Sequence, residues 1–267
     1  MRGIGIFSWF SYDLPIKERF QLIKDAGFAA TSLFWAGEEK HKEPDMCRLI
    51  GLQIDNIHTP FQRPILNPNS IWYDTLGGDD YSNMLINCVE DCASHEIPTM
   101  VIHITSSGNN IPVSKIGFKR IGKIVDIAEK KDINLAFENI YTLEHLDAIF
   151  NYFSSEKVGF CWDSGHENWN HPDKDCLALY GNRLLALHID DNFSDDDSHM
   201  LPYDGNINWE LAVEKLKKCR DVDYFTLEVD FNRNYDRCKI YNELSAKDFL
   251  NLAYEKATKL FRILNLS

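Results

Sequence analysis

Eight short apolar runs, GIGIFSW, ATSLFW, LQIDNIH, PTMVIHI, NLAFENI, KVGFCWD, RLLALHI and YFTLEVD, recur along the chain with amphipathic helical stretches between them. Such regular alternation is the pattern of βα units, not of separate all-β and all-α domains. The helical stretches carry their own punctuation: PIKERFQLIKDAG has a proline start and a glycine stop, and SKIGFKRIGKIVDIAEKKD a Ser cap and a cationic end. A third, SAKDFLNLAYEKATKLFRIL, follows the eighth strand. Eight units in 267 residues average about 33 residues each, the size of one βα repeat, and eight close a (β/α)8 barrel. No linker rich in Gly, Pro or Ser divides the chain, so residues 1–267 are expected to form one (β/α)8 (TIM) barrel domain. Its longest irregular pieces, TPFQRPILNPNSIWYDTLGGDD and DDNFSDDDSHMLPYDGNINW, follow the third and seventh strands, on the side where a barrel keeps its binding loops.

Composition narrows the function classes. With 28 Lys and Arg against 41 Asp and Glu, the formal charge is −13, which disfavours nucleic acid and anionic membranes as partners. No stretch approaches the roughly 18 apolar residues of a membrane span. The N-terminal MRGIGIFSWF enters a strand-like run without the marks of a signal peptide. Seven scattered cysteines without a C-x-x-C pair indicate neither a disulfide framework nor a thiolate zinc site, so a cytoplasmic location is expected. ATP chemistry has no support, because no phosphate-binding G-x-x-x-x-G-K segment is present.

The polar residues at the strand ends are of a narrow chemical kind. The third strand ends at His58, and the next five carry His103, Glu138, Asp163, His188 and Glu228. A lone strand-end His or Glu is ordinarily a cap or a buried hydrogen-bonding group. Six in consecutive strands, all at the active end of a barrel, are hard to explain by packing. Glu138, Asp163 and Glu228 buried together without a cation would be like charges in one desolvated pocket, and some would have to take up protons. A divalent cation removes that conflict: carboxylate oxygen with imidazole nitrogen suits Zn, Mn, Co or Fe, and three carboxylates also suit Mg. In FCWDSGHENW, Asp163 ends a strand and His166 follows three residues later. Ser164 and Gly165 are expected to form a tight turn that returns the imidazole to the same mouth. Trp9, Trp35, Trp162 and Phe61 near strand ends are candidate walls for a sugar face or plain core, and Cys161 reads as a small buried hydrophobe.

Three motifs, AFEN around Glu138, GFCWDSGH, and HIDDN running through DSHMLPYDGNINW, resemble the xylose-isomerase-like barrel superfamily of sugar isomerases and epimerases. That superfamily also contains the apurinic-site endonucleases, and the resemblance covers nearly the whole chain. The most specific motif is a strand-end His followed by D-x-H and a glycine-containing turn ending in I-x-W, here His188, Asp197, His199, Gly205, Ile207 and Trp209. For the ketose-epimerase branch the resemblance implies one ion (Mn, Zn, Co or Mg) held by Glu138, Asp163, His188 and Glu228. The two Glu residues would act as the acid/base pair on a small carbohydrate, and His166 would face the substrate. Glu144 matches a family Glu near the sugar, or is a helix cap. An Arg that some of these epimerases carry after the seventh strand is replaced here by Asp195, Asp196 and Asp197. For the endonuclease branch, a metal-dependent phosphodiesterase with a multi-zinc site, the resemblance implies more than one ion, drawing also on His58, His103, His166, Asp197 and His199. A homodimer is a further state common in the superfamily.

Overall fold

The computed structural model describes residues 1–61, 66–108 and 110–265. Eight strands, β1 (Gly3–Phe7), β2 (Ala30–Phe34), β3 (Gln53–His58), β4 (Thr99–Ile102), β5 (Asn134–Glu138), β6 (Val158–Asp163), β7 (Leu184–His188) and β8 (Tyr224–Leu227), form one parallel sheet in the order β7-β6-β5-β4-β3-β2-β1-β8. Just past the strand ends, Ile189 N donates to Thr226 O and Glu228 N to Ile189 O, both at 3.0 Å. Those two bonds bring β7 against β8 and round the sheet into a barrel. The helices are α1 (Ile16–Asp25), α2 (Glu43–Ile50), α3 (Leu76–Ser94), α4 (Lys115–Lys131), α5 (Leu143–Tyr152), α6 (Ser164–Asn170), α7 (Cys176–Tyr180), α8 (Trp209–Leu216) and α9 (Ala246–Asn265). The expected (β/α)8 barrel is the observed fold.

Each element forms for reasons visible in its residues. In α4, Ile121, Ile124, Val125 and Ala128 recur on one face and are buried against the barrel. Ser114 Oγ caps that helix by accepting from Gly117 N at 3.2 Å. Gly117 has no side chain where the Trp72 ring lies, since a Cβ would sit 2.1 Å from Trp72 Cε3. Trp72 Nε1 in turn donates to Ile104 O at 2.8 Å, fixing the chain just beyond β4. In α9, Phe249, Leu250, Ala253, Ala257 and Leu260 make the buried stripe. Side-chain alternation along the strands divides the interior: Phe137, Phe160 and Leu187 pack toward the helices, while Val101, Ala136, Cys161 and Ala186 form a small inner layer. The polar strand-end residues stand directly above that layer.

The structure corrects three local expectations. The stretch after β3 is shorter than expected, because Pro68–Trp72 is a 3₁₀ turn and Thr75 caps α3, so GGDD is already helical; its residues 62–65 lie outside the described residues. His103 and Glu228 fall one residue beyond their strands. Ser164 and Gly165 do not make a tight turn but begin α6, and Asp163 is its N-cap, with Oδ1 accepting from His166 N at 2.5 Å. His166 therefore reaches the mouth of the barrel from the first turn of a helix.

Candidate metal centre

All six strand-end residues converge at the C-terminal mouth, and all six are buried. Ligand atoms of Glu138, Asp163, His188 and Glu228 lie within 4.8 Å of one another. Glu138 is at the centre. Its Oε2 accepts from His103 Nε2 at 3.0 Å and lies 3.5 Å from His58 Nε2 and 3.6 Å from His188 Nδ1. Its Oε1 faces His166 Nδ1 at 2.9 Å. Glu228 Oε2 faces His188 Nδ1 at 2.5 Å. His58 is oriented by its Nδ1 contact to Thr59 O at 2.9 Å, which turns Nε2 toward His103 at 3.2 Å. Asn139 clamps the backbone of Asp163, with Nδ2 donating to its O and Oδ1 accepting from its N, both at 2.8 Å. The carboxylate is thus aimed by two bonds that do not involve it.

A second group adjoins the first. Ligand atoms of Asp197 and His199, on the long segment after β7, and of Asp190 also lie within 4.8 Å of one another. His199 Nδ1 is 3.2 Å from Asp190 Oδ2 and its Nε2 3.4 Å from Asp197 Oδ2, while His166 Nε2 is 3.3 Å from Asp197 Oδ2. His166 thereby bridges the two groups. Asp190 was not singled out from sequence, although it lies two residues beyond His188 and so falls on the same side of the chain, a spacing that could have revealed it. Its neighbour Asp191 shapes the segment, accepting from Tyr203 N at 3.0 Å, Ile207 N at 3.2 Å and Trp209 Nε1 at 2.9 Å. The G-x-I-x-W turn is wound around that carboxylate. Cys161, expected to be a small buried hydrophobe, is buried but also within reach of Glu138 and His188.

The charges of this chain alone cannot all ionise in their usual way. Burial, reinforced by Asp190, pushes the Asp163 carboxyl well above the carboxylate range. Burial would also raise Glu138 and Glu228, but His103 and His188 hold Glu138 well below that range and His188 brings Glu228 down to about 2. Conversely, burial would depress His166, His188 and His199, yet Asp163 and Asp197 lift His166, Cys161, Glu228 and Glu138 lift His188, and Asp197 and Asp190 lift His199, all three well above the ordinary histidine value. Protons on Asp163 and on the imidazoles are the charge a divalent cation would displace. The donor atoms support the same fit: Glu138 Oε1, Asp163 Oδ2, His188 Nδ1 and Nε2, and Glu228 Oε2 are buried without a well-formed hydrogen bond. Such a concentration of unsatisfied atoms is costly in a protein that holds no ligand there. The residues fit a metal ion.

Two cavities with shared lining residues open on this centre. One, of about 580 Å³, is lined by Phe7, Trp9, Phe34, Phe61, His199 and Glu228 among others. The other, of about 330 Å³, reaches His58, His103, His166 and Asp197 and shares Phe61, His199 and Glu228 with the first. Both fall in the size range of small-molecule sites. Of the four aromatics that could be sugar walls or plain core, Trp9 and Phe61 line the cavity; Trp35 is buried with Nε1 donating to Asp91, and Trp162 donates to Glu167 away from it. Glu144 is exposed in the first turn of α5, outside both cavity linings.

The sequence profile for the xylose isomerase-like TIM barrel matches residues 20–246. The chain belongs to that family. The uncharacterized protein y4fM of Sinorhizobium fredii is 25% identical over 242 residues, covering 77% of this chain and 78% of y4fM. A D-tagatose 3-epimerase-like protein superposes with a TM-score of 0.75 at 22% identity, over 99% of this chain and 98% of its own. The IolI protein, solved with a bound zinc atom, superposes with a TM-score of 0.71 at 15% identity, over 99% and 98%. At these identities the superpositions establish the fold. Among the described residues, no helix is long and apolar enough to cross a membrane.

Gly165 connects fold and centre. A Cβ there would lie 2.4–2.7 Å from the Asp190 carboxylate, which is held by Gly165 N at 2.8 Å and faces His199. Gly165→Ala should therefore cost about 1–3 kcal/mol by overpacking and lower the melting temperature by several degrees. An unchanged thermal melt would show that Asp190 is free to yield.

Proposed function

We propose that this protein is a metal-dependent isomerase or epimerase that moves a proton at the carbon beside the carbonyl of a small polyhydroxy substrate. The observation carrying this reading is that Glu138 and Glu228 belong to one buried ligand set while Glu228 also forms part of the cavity wall. A divalent ion held by Glu138, Asp163, His188 and Glu228 would supply Lewis-acid stabilisation of the charge on adjacent substrate oxygens as an ene-diolate develops. Glu228 Oε2 is turned to His188, which leaves Oε1 as the atom to take the carbon-bound proton. Glu138 is the partner acid/base for the opposite face, its protonation governed by His103 and His166 on its two oxygens. His166 and His199 supply N–H donors at the substrate end of the cavity, and Trp9 and Phe61 exclude water from one side. The epimerase-like neighbour and the zinc of IolI support this reading by analogy.

A second reading, a multi-zinc phosphodiesterase, is favoured by one observation: His58–His103–Glu138 and Asp190–Asp197–His199 are further ligand-type groups beside the main one. Against it stand the charge of −13 and cavity linings in which Arg19 is the one Lys or Arg among the described residues. Elemental analysis of the purified protein separates the two. One Mn, Co or Mg per chain, with exchange of a ketose carbon-bound proton for solvent deuterium, is expected. Three Zn per chain with cleavage of abasic DNA would replace the isomerase reading by the phosphodiesterase.

A further inference from the structure

The larger cavity has two ends. One is the Glu228 and His199 end, and the other is closed by Arg19 from α1 and Glu43 from α2. This pair is unusual for its position. Both side chains are about nine-tenths buried, at 8% and 11% exposed, and they meet through a single contact, Arg19 Nη2 to Glu43 Oε1 at 2.5 Å, not a two-point fork. Arg19 Nε and Glu43 Oε2 are buried without a hydrogen-bond partner. Buried ion pairs are stable only when their remaining donors and acceptors are also used, and this pair leaves Arg19 Nε and Glu43 Oε2 unspent. Trp9 holds the guanidinium from above, its ring centroid 5.9 Å from Arg19 Cζ, and Ala36 and Gly37 complete the wall. The same pair also lines an outer cavity of about 520 Å³, so it stands as the partition between the reaction chamber and the surface.

Neither hydrophobic packing nor charge neutralisation requires a buried guanidinium at the far end of this chamber. We infer that the Arg19–Glu43 pair is the specificity-determining element for the end of the substrate remote from the reacting carbon, and that it recognises uncharged hydroxyl groups there. A hydroxyl both accepts and donates, which matches one group with spare N–H donors beside one with a spare carboxylate oxygen. The positive charge of Arg19 is already neutralised by Glu43, and Glu228 and Asp230 line the same cavity. A phosphoryl or carboxylate terminus at that end would meet the Glu43 carboxylate, with Asp230 in the same lining and no unspent Lys or Arg among the described lining residues.

This inference rests on the proposed function, and the test separates the two. Exchange of the carbon-bound proton with deuterium is followed by NMR for a free six-carbon ketose, its terminal phosphate ester, and the four-carbon erythrulose, which lacks the two carbons at the remote end. Wild type should favour the free six-carbon ketose over its phosphate. Arg19→Met should lower the six-carbon to four-carbon ratio of kcat/KM roughly ten-fold or more, the scale of a lost charge-assisted hydrogen bond, chiefly through KM. Because the methionine could loosen α1, Glu43→Gln is the companion variant. It keeps the shape, exposes the Arg19 charge, and should shift preference toward the phosphate ester. Equal loss on both chain lengths, or a wild-type preference for the phosphate, overturns the inference and leaves the isomerase reading standing. Absence of exchange with every sugar at full metal occupancy overturns both.

Discussion

Glu228→Gln should keep the fold and abolish nearly all turnover. The side chain lines the cavity, and its carboxylate pairs with the His188 imidazole. An amide fills the same volume and leaves the inner layer of Val101, Ala136, Cys161 and Ala186 untouched. It cannot, however, accept a proton from carbon. General-base catalysis is typically worth about 10²–10⁴ in rate, and loss of a charged ligand would add to the deficit. Turnover should therefore drop by at least about 10³, with a normal circular dichroism spectrum and no more than a small shift in thermal melt. Deuterium exchange at the substrate carbon is the decisive measurement, because it reports proton removal even when product release limits the rate. Wild-type exchange in the variant would remove Glu228 from the acid/base role.

The barrel was legible because each strand is a compact apolar run and each major helix carries a periodic apolar face, so tertiary packing had no local preference to overcome. The convergence of His58, His103, Glu138, Asp163, His188 and Glu228 was legible for a related reason: parallel strands in a barrel deliver their C-terminal ends to one mouth. Local geometry was harder to read. The D-S-G-H step looked like a turn because Ser and Gly favour turns, yet Asp163 placed three residues before His166 is equally an N-cap pattern, and the cap prevailed. Gly165 is there for the Asp190 carboxylate, a contact between segments that no short window of sequence contains. The pairing register also shifts between Thr31 and Ser32 and between Phe160 and Cys161. Such irregularities depend on the neighbouring strand. Arg19 and Glu43 both lie on helices, and it is the docking of α1 beside α2 that buries them together, a contact no short window of sequence contains.

Asp163 and His166 should separate metal binding from substrate handling. Asp163 Oδ2 is buried with no hydrogen-bond partner and belongs to the four-residue set, so Asp163→Ala removes a ligand outright. Even outer partners of metal ligands are worth about 10–100-fold in affinity, and a direct ligand should cost at least about 100-fold. Asp163 also caps α6 through Oδ1, and loss of a cap costs about 1 kcal/mol, so alanine alone would mix two effects. Asp163→Asn separates them: asparagine is an equally good cap but a neutral and weaker ligand. Both variants should lose metal, whereas only alanine should also lose helix stability. His166 stands between Glu138 Oε1 and Asp197 Oδ2 and lines the cavity. His166→Ala should retain the main ion and reduce turnover by about 10²-fold, the lower end of what one positioned proton donor contributes. Elemental analysis of the three variants, with thermal melts alongside, reads both effects. Full occupancy in Asp163→Ala together with complete loss of metal in His166→Ala would reverse the assignment and make the imidazole the ligand.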